Sequence, residues 1–265
     1  MDKVDNININ HFPISNIWQE AFKFLEVYLK ECFSKGKKTL LLLSGGSAVR
    51  LYRSLAKFLM TSPYPSPARR GENWNDFLAL GQVDERFKPD NIELRTENLE
   101  RSTKNQEPRK KSNINANAIG ETGLWKVCEE KRIHYYLISQ EGTLEQAADV
   151  YHQTISKLFK EYPNRAAILG IGEDCHTAGL LPGYEKDWNI NNFIVGYRNN
   201  GQFPQRISLT PKALRQLDYA IIVAVGESKI QAIQNALKKE NINNLNKFPA
   251  VLIRIIRNVD LFRIL

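Results

Sequence analysis

Of the four histidines in the chain, His176 stands in the setting best suited to moving a proton. It follows Asp174 by two residues, in the segment Gly170-Ile171-Gly172-Glu173-Asp174-Cys175-His176 that closes an apolar run. A carboxylate at that spacing fixes one imidazole tautomer and leaves the other nitrogen to take a proton from water. A loop histidine that merely caps Gly172 or Thr177 fits the same residues, so the neighbouring segments must decide between the two. His11 falls in a polar terminus, His134 in a strand pattern and His152 in a helix pattern, where no chemical role is needed.

Three other segments carry reactive or anion-binding residue types. Ser44-Gly45-Gly46-Ser47 follows an apolar run; two glycines let the backbone approach an anion, and the amides of a following helix would point at it. A turn between strand and helix needs small residues for its own sake, so this loop alone fits either purpose. Asp84-Glu85-Arg86 places carboxylates beside a guanidinium, and Gly226 precedes Lys229. No Gly-Lys-Ser/Thr follows the first loop, so it is not a Walker loop. Gly170-Ile171-Gly172 begins like a dinucleotide fingerprint, but its sixth position is Cys175. There is no Gly-x-Ser-x-Gly elbow and no second histidine at a metal-ligand spacing, so neither a serine nucleophile nor a metal is expected.

These four segments all follow short apolar runs that read as strands. Ile14 to Phe33 has helical spacing with Ser15 as a candidate N-cap, and Gly36 ends it. Thr39–Leu43 is a buried strand, Ala48–Met60 a helix, and Phe77–Val83 a strand ending at Asp84. Ile133–Ile138, Ala166–Ile171, Phe193–Tyr197, Arg206–Leu209 and Ala220–Val225 read as further strands. Leu144–Tyr162, Pro211–Leu217 and Ser228–Lys239 read as helices, and Val251–Ile256 with Val259–Leu265 closes the chain. The alternation predicts an α/β fold with a mostly parallel, doubly wound (Rossmann-like) sheet and helices on both faces. In such sheets ligands sit beyond the carboxyl ends of the strands, where all four polar segments fall. Pro63, Pro65 and Pro67 mark residues 61–75 as a surface insertion, and the polar stretch 101–117 reads as a solvated loop. With no repeat and no linker, residues 1–265 read as one domain.

Composition bounds the partners. The chain has 265 residues, 42% apolar and 25% charged, within the range of folded soluble domains. A net charge of +8 permits an anionic partner without choosing one. Its basic stretches at Arg69-Arg70 and 101–111 lack the interleaved aromatics of a nucleic-acid binder, so none is expected. Three scattered cysteines and the absence of a signal-peptide core or membrane-length apolar run predict a cytoplasmic protein with no membrane partner.

Taken together, the segments resemble the 6-phosphogluconolactonase branch of the sugar-phosphate isomerase/lactonase family. Gly170-Ile-Gly-Glu-Asp-Cys-His-Thr-Ala-Gly-Leu-Leu-Pro182 is similar to the family's Gly-x-Gly-x-Asp-Gly-His-Thr-Ala-Ser-Leu-Phe-Pro. Leu43-Ser-Gly-Gly-Ser47, Val83-Asp-Glu-Arg86, Arg206-Ile-Ser-Leu-Thr210, Gly226-Glu-Ser-Lys229 and Pro249-Ala250 match its other motifs in order. The resemblance implies hydrolysis of 6-phospho-D-glucono-1,5-lactone in the pentose phosphate pathway, with no metal and no organic cofactor, by a monomer or weak homo-oligomer. By it, Gly45, Gly46 and Ser47 cradle the phosphate with Arg206 and Lys229, and His176 activates water under the control of Asp174. Arg86, held by Asp84 or Glu85, meets the carbonyl oxygen or sugar hydroxyls.

The related glucosamine-6-phosphate deaminase branch places a carboxylate five residues after its histidine; here that position is Leu181, and the next acid is Glu185. Cys175 stands where the family has glycine, and Asn98 is the nearest candidate for an expected Ser-Asn pair. These departures leave open a sugar-phosphate-binding relative with weak or lost catalysis.

Overall fold

The run Thr39–Leu43 forms a strand whose five residues are all buried. Successive side chains of a strand face opposite ways, so Leu40 and Leu42 enter one hydrophobic core while Leu41 and Leu43 enter a second. Leu169 and Ile168, and Ile222 and Ile221, divide in the same manner. A sheet covered on both faces requires this, and it explains why these runs are apolar throughout instead of alternating.

The computed structural model describes residues 2–62, 74–88, 114–188 and 191–264. Its strands are β1 (Asp2–Val4), β2 (Ile7–Phe12), β3 (Thr39–Leu43), β4 (Leu78–Gln82), β5 (Asp84–Arg86), β6 (His134–Tyr136), β7 (Asn164–Leu169), β8 (Ile194–Arg198), β9 (Gln205–Leu209), β10 (Tyr219–Ala224) and β11 (Val259–Ile264). Eight of them make one sheet in the order β1-β2-β11-β10-β7-β3-β4-β6, parallel except for the β1–β2 pair. Helices Ile17–Ser34 and Tyr52–Thr61 cover one face, and Leu144–Glu161 and Ile230–Leu237 the other. The doubly wound α/β expectation holds. Thr143 and Gln146 form a reciprocal capping box that starts the helix Leu144–Glu161.

Several local expectations fail for identifiable reasons. The first helix is capped at Asn16, without a side-chain bond, and not at Ser15. The polar N-terminus carries β1 and β2; its Ile7 and Ile9 alternate with asparagines and are buried, and His11 lies in β2 beside β11. Val251–Ile256 is apolar but lies in a tight helix, Pro249–Ile255, started by the proline. Of the segment 61–75, the proline-rich part lies outside the described residues, while Thr61 ends a helix and buried Trp74 opens a helical turn. Asn98 and most of 101–117 also lie outside, but Asn115–Gly120 is a short helix with Asn115 buried.

The largest departure is a second sheet. β5, β9 and β8 pair antiparallel, apart from the parallel sheet. The chain crosses between the sheets at Gln82-Val83, and the crossing is pinned. Tyr151 Oη donates to the Gln82 carbonyl and accepts its N–H, both at 2.7 Å. The Gln82 side chain accepts from Ile138 N–H at 2.6 Å and donates to Glu85 at 2.8 Å. Among the described residues, no helix is long and apolar enough to cross a membrane.

Candidate active site

A cavity of about 210 Å³ opens beyond the carboxyl ends of β3, β7 and β10, with the antiparallel sheet as its far wall. Gly45, Gly46, Ser47, Asp84, Arg86, His176, Arg206 and Lys229 all line it. Asp174 does not; it holds His176 from behind.

The His176 loop is a turn closed by its own backbone. Gly172 N–H donates to the His176 carbonyl at 2.9 Å, and Cys175 N–H to the Gly172 carbonyl at 3.0 Å. Thr177 Oγ1 donates to Gly170 O at 3.0 Å. Asp174 Oδ1 accepts the His176 backbone N–H at 3.1 Å and lies 2.5 Å from Nδ1. With Nδ1–H donated to the carboxylate, Nε2 is the basic nitrogen. Burial pushes the Asp174 carboxyl up, but its bonds to His176 outweigh this and hold it below the usual range. Gly172 is required here, because a Cβ would sit 2.1 Å from His176 Nδ1 and 2.6 Å from Asp174 Oδ1.

Cys175 adopts φ +69° and Ala178 +51°, the left-handed region that favours glycine. The family glycine position thus keeps its backbone shape with a cysteine in it. The side chain is buried, its Sγ is 3.4 Å from Ala232 O, and its carbonyl accepts Ala250 N–H at 2.8 Å. His176 still reaches Asp174.

In the first loop the structure separates the two serines. Ser44 spends its hydroxyl on Ile168 O at 2.9 Å, and its carbonyl accepts Tyr52 Oη at 2.5 Å. Gly46, at φ +62°, and Ser47 face the cavity. The turn enters a tight helix, Gly46–Leu51, before the α-helix begins, so the expected amides belong to that tighter turn.

On β5 the strand period puts Asp84 and Arg86 on the cavity side and Glu85 on the other. In the antiparallel pairing, Arg86 stands opposite Arg206 and Asp84 opposite Ser208. Burial pushes the Asp84 carboxyl up, opposed by Arg206, His176, Arg86 and a bond from Asn115. Burial and then the neighbouring Arg206 lower Arg86, while burial lowers Lys229 against the pull of Glu173. Asp84 and Glu85, the two carboxylates expected to hold Arg86, both pull its guanidinium back up by their charge, and Glu85 accepts the backbone N–H groups of Arg86, Asn115 and Ala116 at 2.7–2.8 Å. Its burial pushes its pKa to about 7, against those bonds.

That arrangement brings in a residue the sequence did not offer. Glu85 seats the start of the helix Asn115–Gly120, and the Asn115 side chain lines the cavity, donating to the Asp84 carbonyl at 3.1 Å. Gly45 makes room for it, since a Cβ there would lie 2.0 Å from Asn115 Oδ1. Asn115 sits in a polar stretch among other asparagines, with no pattern to distinguish it. Among the described residues, no three His, Cys, Asp or Glu side chains gather as a metal site.

A sequence model of the family described as glucosamine-6-phosphate isomerases/6-phosphogluconolactonase matches residues 15–261. The chain is 26% identical over 219 residues to a 6-phosphogluconolactonase of Xylella fastidiosa, covering 80% of this chain and 76% of that one. It is 27% identical over 216 residues to a 6-phosphogluconolactonase of Streptomyces coelicolor, covering 77% and 72%. Among solved structures, the 6-phosphogluconolactonase of Thermotoga maritima has a TM-score of 0.70 at 18% identity, covering 98% of this chain and 99% of that one. That of Plasmodium vivax has 0.73 at 17%, covering 99% and 91%. A monomeric glucosamine-6-phosphate deaminase has 0.63 at 14%, covering 98% and 97%. At these identities the structures share the fold.

Proposed function

Since the chain belongs to the glucosamine-6-phosphate isomerase/6-phosphogluconolactonase family, we propose that it hydrolyses 6-phospho-D-glucono-1,5-lactone to 6-phosphogluconate, in the cytoplasm, as one domain acting alone or as a weak homo-oligomer. The observation that carries this reading is an imidazole oriented by a carboxylate in a cavity shared with Arg86, Arg206 and Lys229. His176 Nε2 takes a proton from water, and the water oxygen attacks the lactone carbonyl carbon. Arg86 meets the negative charge that develops on the carbonyl oxygen. Collapse of the intermediate breaks the bond from the carbonyl carbon to the ring oxygen, which takes the proton from the imidazolium. Gly45, Gly46 and Ser47, with Arg206 and Lys229, hold the phosphate, and Asp84 balances the arginines. A lactone is an activated ester, so these groups suffice.

The cavity lining also weighs against the deaminase reaction. Among the described residues its one carboxylate is Asp84; Leu181 and Glu185 lie outside it. Amino-sugar ring opening would lack the carboxylate that the deaminase branch places five residues after its histidine, where Leu181 stands.

The test couples 6-phosphogluconate formation to its dehydrogenase. The protein should accelerate lactone opening, and His176→Ala should lose about 10²–10⁴-fold in kcat while still binding 6-phosphogluconate. An unchanged spontaneous rate at high protein concentration refutes catalysis, and ammonia release from glucosamine 6-phosphate would favour the deaminase branch.

A further inference from the structure

Arg86 and Arg206 are directly opposite each other on β5 and β9. Like charges facing across an antiparallel pair destabilise it, and here both guanidiniums are half-buried at the same cavity. Asp84, on the same strand as Arg86, offsets part of that repulsion, and an aromatic ring adds to that offset. Phe203, in the turn between β8 and β9, has its ring centroid 4.0 Å from Arg86 Cζ and 6.0 Å from Arg206 Cζ. An aromatic face carries partial negative charge and attracts a guanidinium within about 6 Å. The ring is therefore close to the first arginine and at the edge of reach of the second.

The turn that carries the ring is itself fixed. Asn199 is buried; its side chain donates to Phe203 O and accepts Gly201 N–H, both at 2.8 Å. Its backbone N–H donates to Pro204 O at 2.7 Å. Phe87 N–H donates to Gln205 O at 3.0 Å, continuing the β5–β9 pairing up to this turn. Phe203 does not line the cavity, so it acts on a ligand only through the arginines.

We infer that Phe203 is a positioning residue whose ring face holds the Arg86 guanidinium for the lactone carbonyl and steadies Arg206 beside it for the phosphate. The inference rests on the proposed function for the identity of that substrate. Its effect falls mainly on kcat through Arg86, which lies nearer the ring and meets charge that develops only in the transition state, and more weakly on phosphate binding through Arg206.

Phe203→Leu keeps apolar bulk and removes the π face; Phe203→Tyr keeps the face. Steady-state kinetics on the lactone should show Phe203→Leu lower in kcat by about 3- to 10-fold, and calorimetry with 6-phosphogluconate a smaller loss of affinity, within about threefold. Phe203→Tyr should stay within about twofold of wild type, and thermal midpoints of all three should coincide. An unchanged kcat in Phe203→Leu would overturn the inference, as would equal losses in both variants or a loss that follows a fall in thermal midpoint. A wild type that binds 6-phosphogluconate without hydrolysing the lactone removes the proposed reaction and leaves the Arg206 half of this inference to be decided by the affinities. A wild type that does neither removes both.

Discussion

The wall of the cavity supplied by the eight-stranded sheet is made largely of backbone, whereas the wall supplied by the three-stranded sheet is made of side chains. In the first, Gly45, Gly46 and the turn from Gly172 to His176 matter through conformation and close approach. Positive φ values at Gly46, Cys175 and Ala178 aim the chain, and the single imidazole is held by its own loop. In the second, Asp84, Arg86 and Arg206 are placed by strand register, two residues apart or directly across. The difference teaches that the two walls fail differently: the first through small changes of shape, the second through loss of charge.

The largest expected effect comes from disturbing shape without touching charge. Gly172→Ala puts a methyl group within 2.1 Å of the His176 ring, and backbone closed by two hydrogen bonds cannot give way. A displacement of about 1 Å in a reacting group costs on the order of 10²-fold. We expect kcat in the coupled assay to fall by at least about that much while 6-phosphogluconate affinity stays near wild type. Full activity in this variant would erase the distinction between the walls.

On the other wall, Arg206→Ala removes charge and leaves the loops in place. Hydrogen bonds to charged groups contribute about 1.5–3 kcal/mol, which corresponds to a loss of about 10- to 100-fold in 6-phosphogluconate affinity. Calorimetry against gluconate provides the control. If wild type binds gluconate and 6-phosphogluconate equally, the phosphate assignment of Arg206 is wrong.

The two walls were also unequally legible in the sequence. Glycines after apolar runs mark the first, because a parallel strand buried on both faces is a conspicuous apolar block and the turn after it needs small residues. Thr39–Leu43 and Ala166–Leu169 announce themselves in this way. The second wall is built on β5, a strand of three polar residues, and on β9, where Arg206 faces the cavity. Nothing in Asp84-Glu85-Arg86 says that it pairs with Arg206, since pairing between distant segments leaves no local period. Glu85 was legible as an acid but not as the acceptor that seats Asn115, because its partners are backbone N–H groups that every residue carries. Family resemblance offered both Arg206 and Arg86 as site residues; it did not say that they face each other across two strands.

Glu85 also gives the second wall a dependence on pH. Its pKa is pushed up to about 7 by burial, from an ordinary value of 4.5. The folded protein therefore binds more protons than the unfolded chain between those values. The stability this group contributes is full below pH 4.5 and is lost as pH rises through 7, by about 3 kcal/mol in all. Urea midpoints at pH 5.5 and 8 should fall with pH in wild type. In Glu85→Gln this slope should flatten, with lower stability overall, because the amide turns a donor toward N–H groups. An unchanged slope would show that Glu85 does not titrate in this range.

The smallest expected effect lies where the first wall departs from its family. Cys175 holds a left-handed conformation that costs a non-glycine residue about 1–2 kcal/mol. Glycine would relieve that strain, but it would forfeit the packing of a buried thiol and add freedom to the unfolded chain, at about 0.5–1 kcal/mol. The terms nearly cancel, so Cys175→Gly should shift stability by no more than about 1 kcal/mol. Catalysis should change even less. The loop already has the shape that glycine would give it, and His176 Nδ1 already lies 2.5 Å from Asp174. We expect kcat/KM within about twofold of wild type. A tenfold gain would mean that the cysteine pushes the imidazole off its line, and that the chain works below the capacity of its own fold.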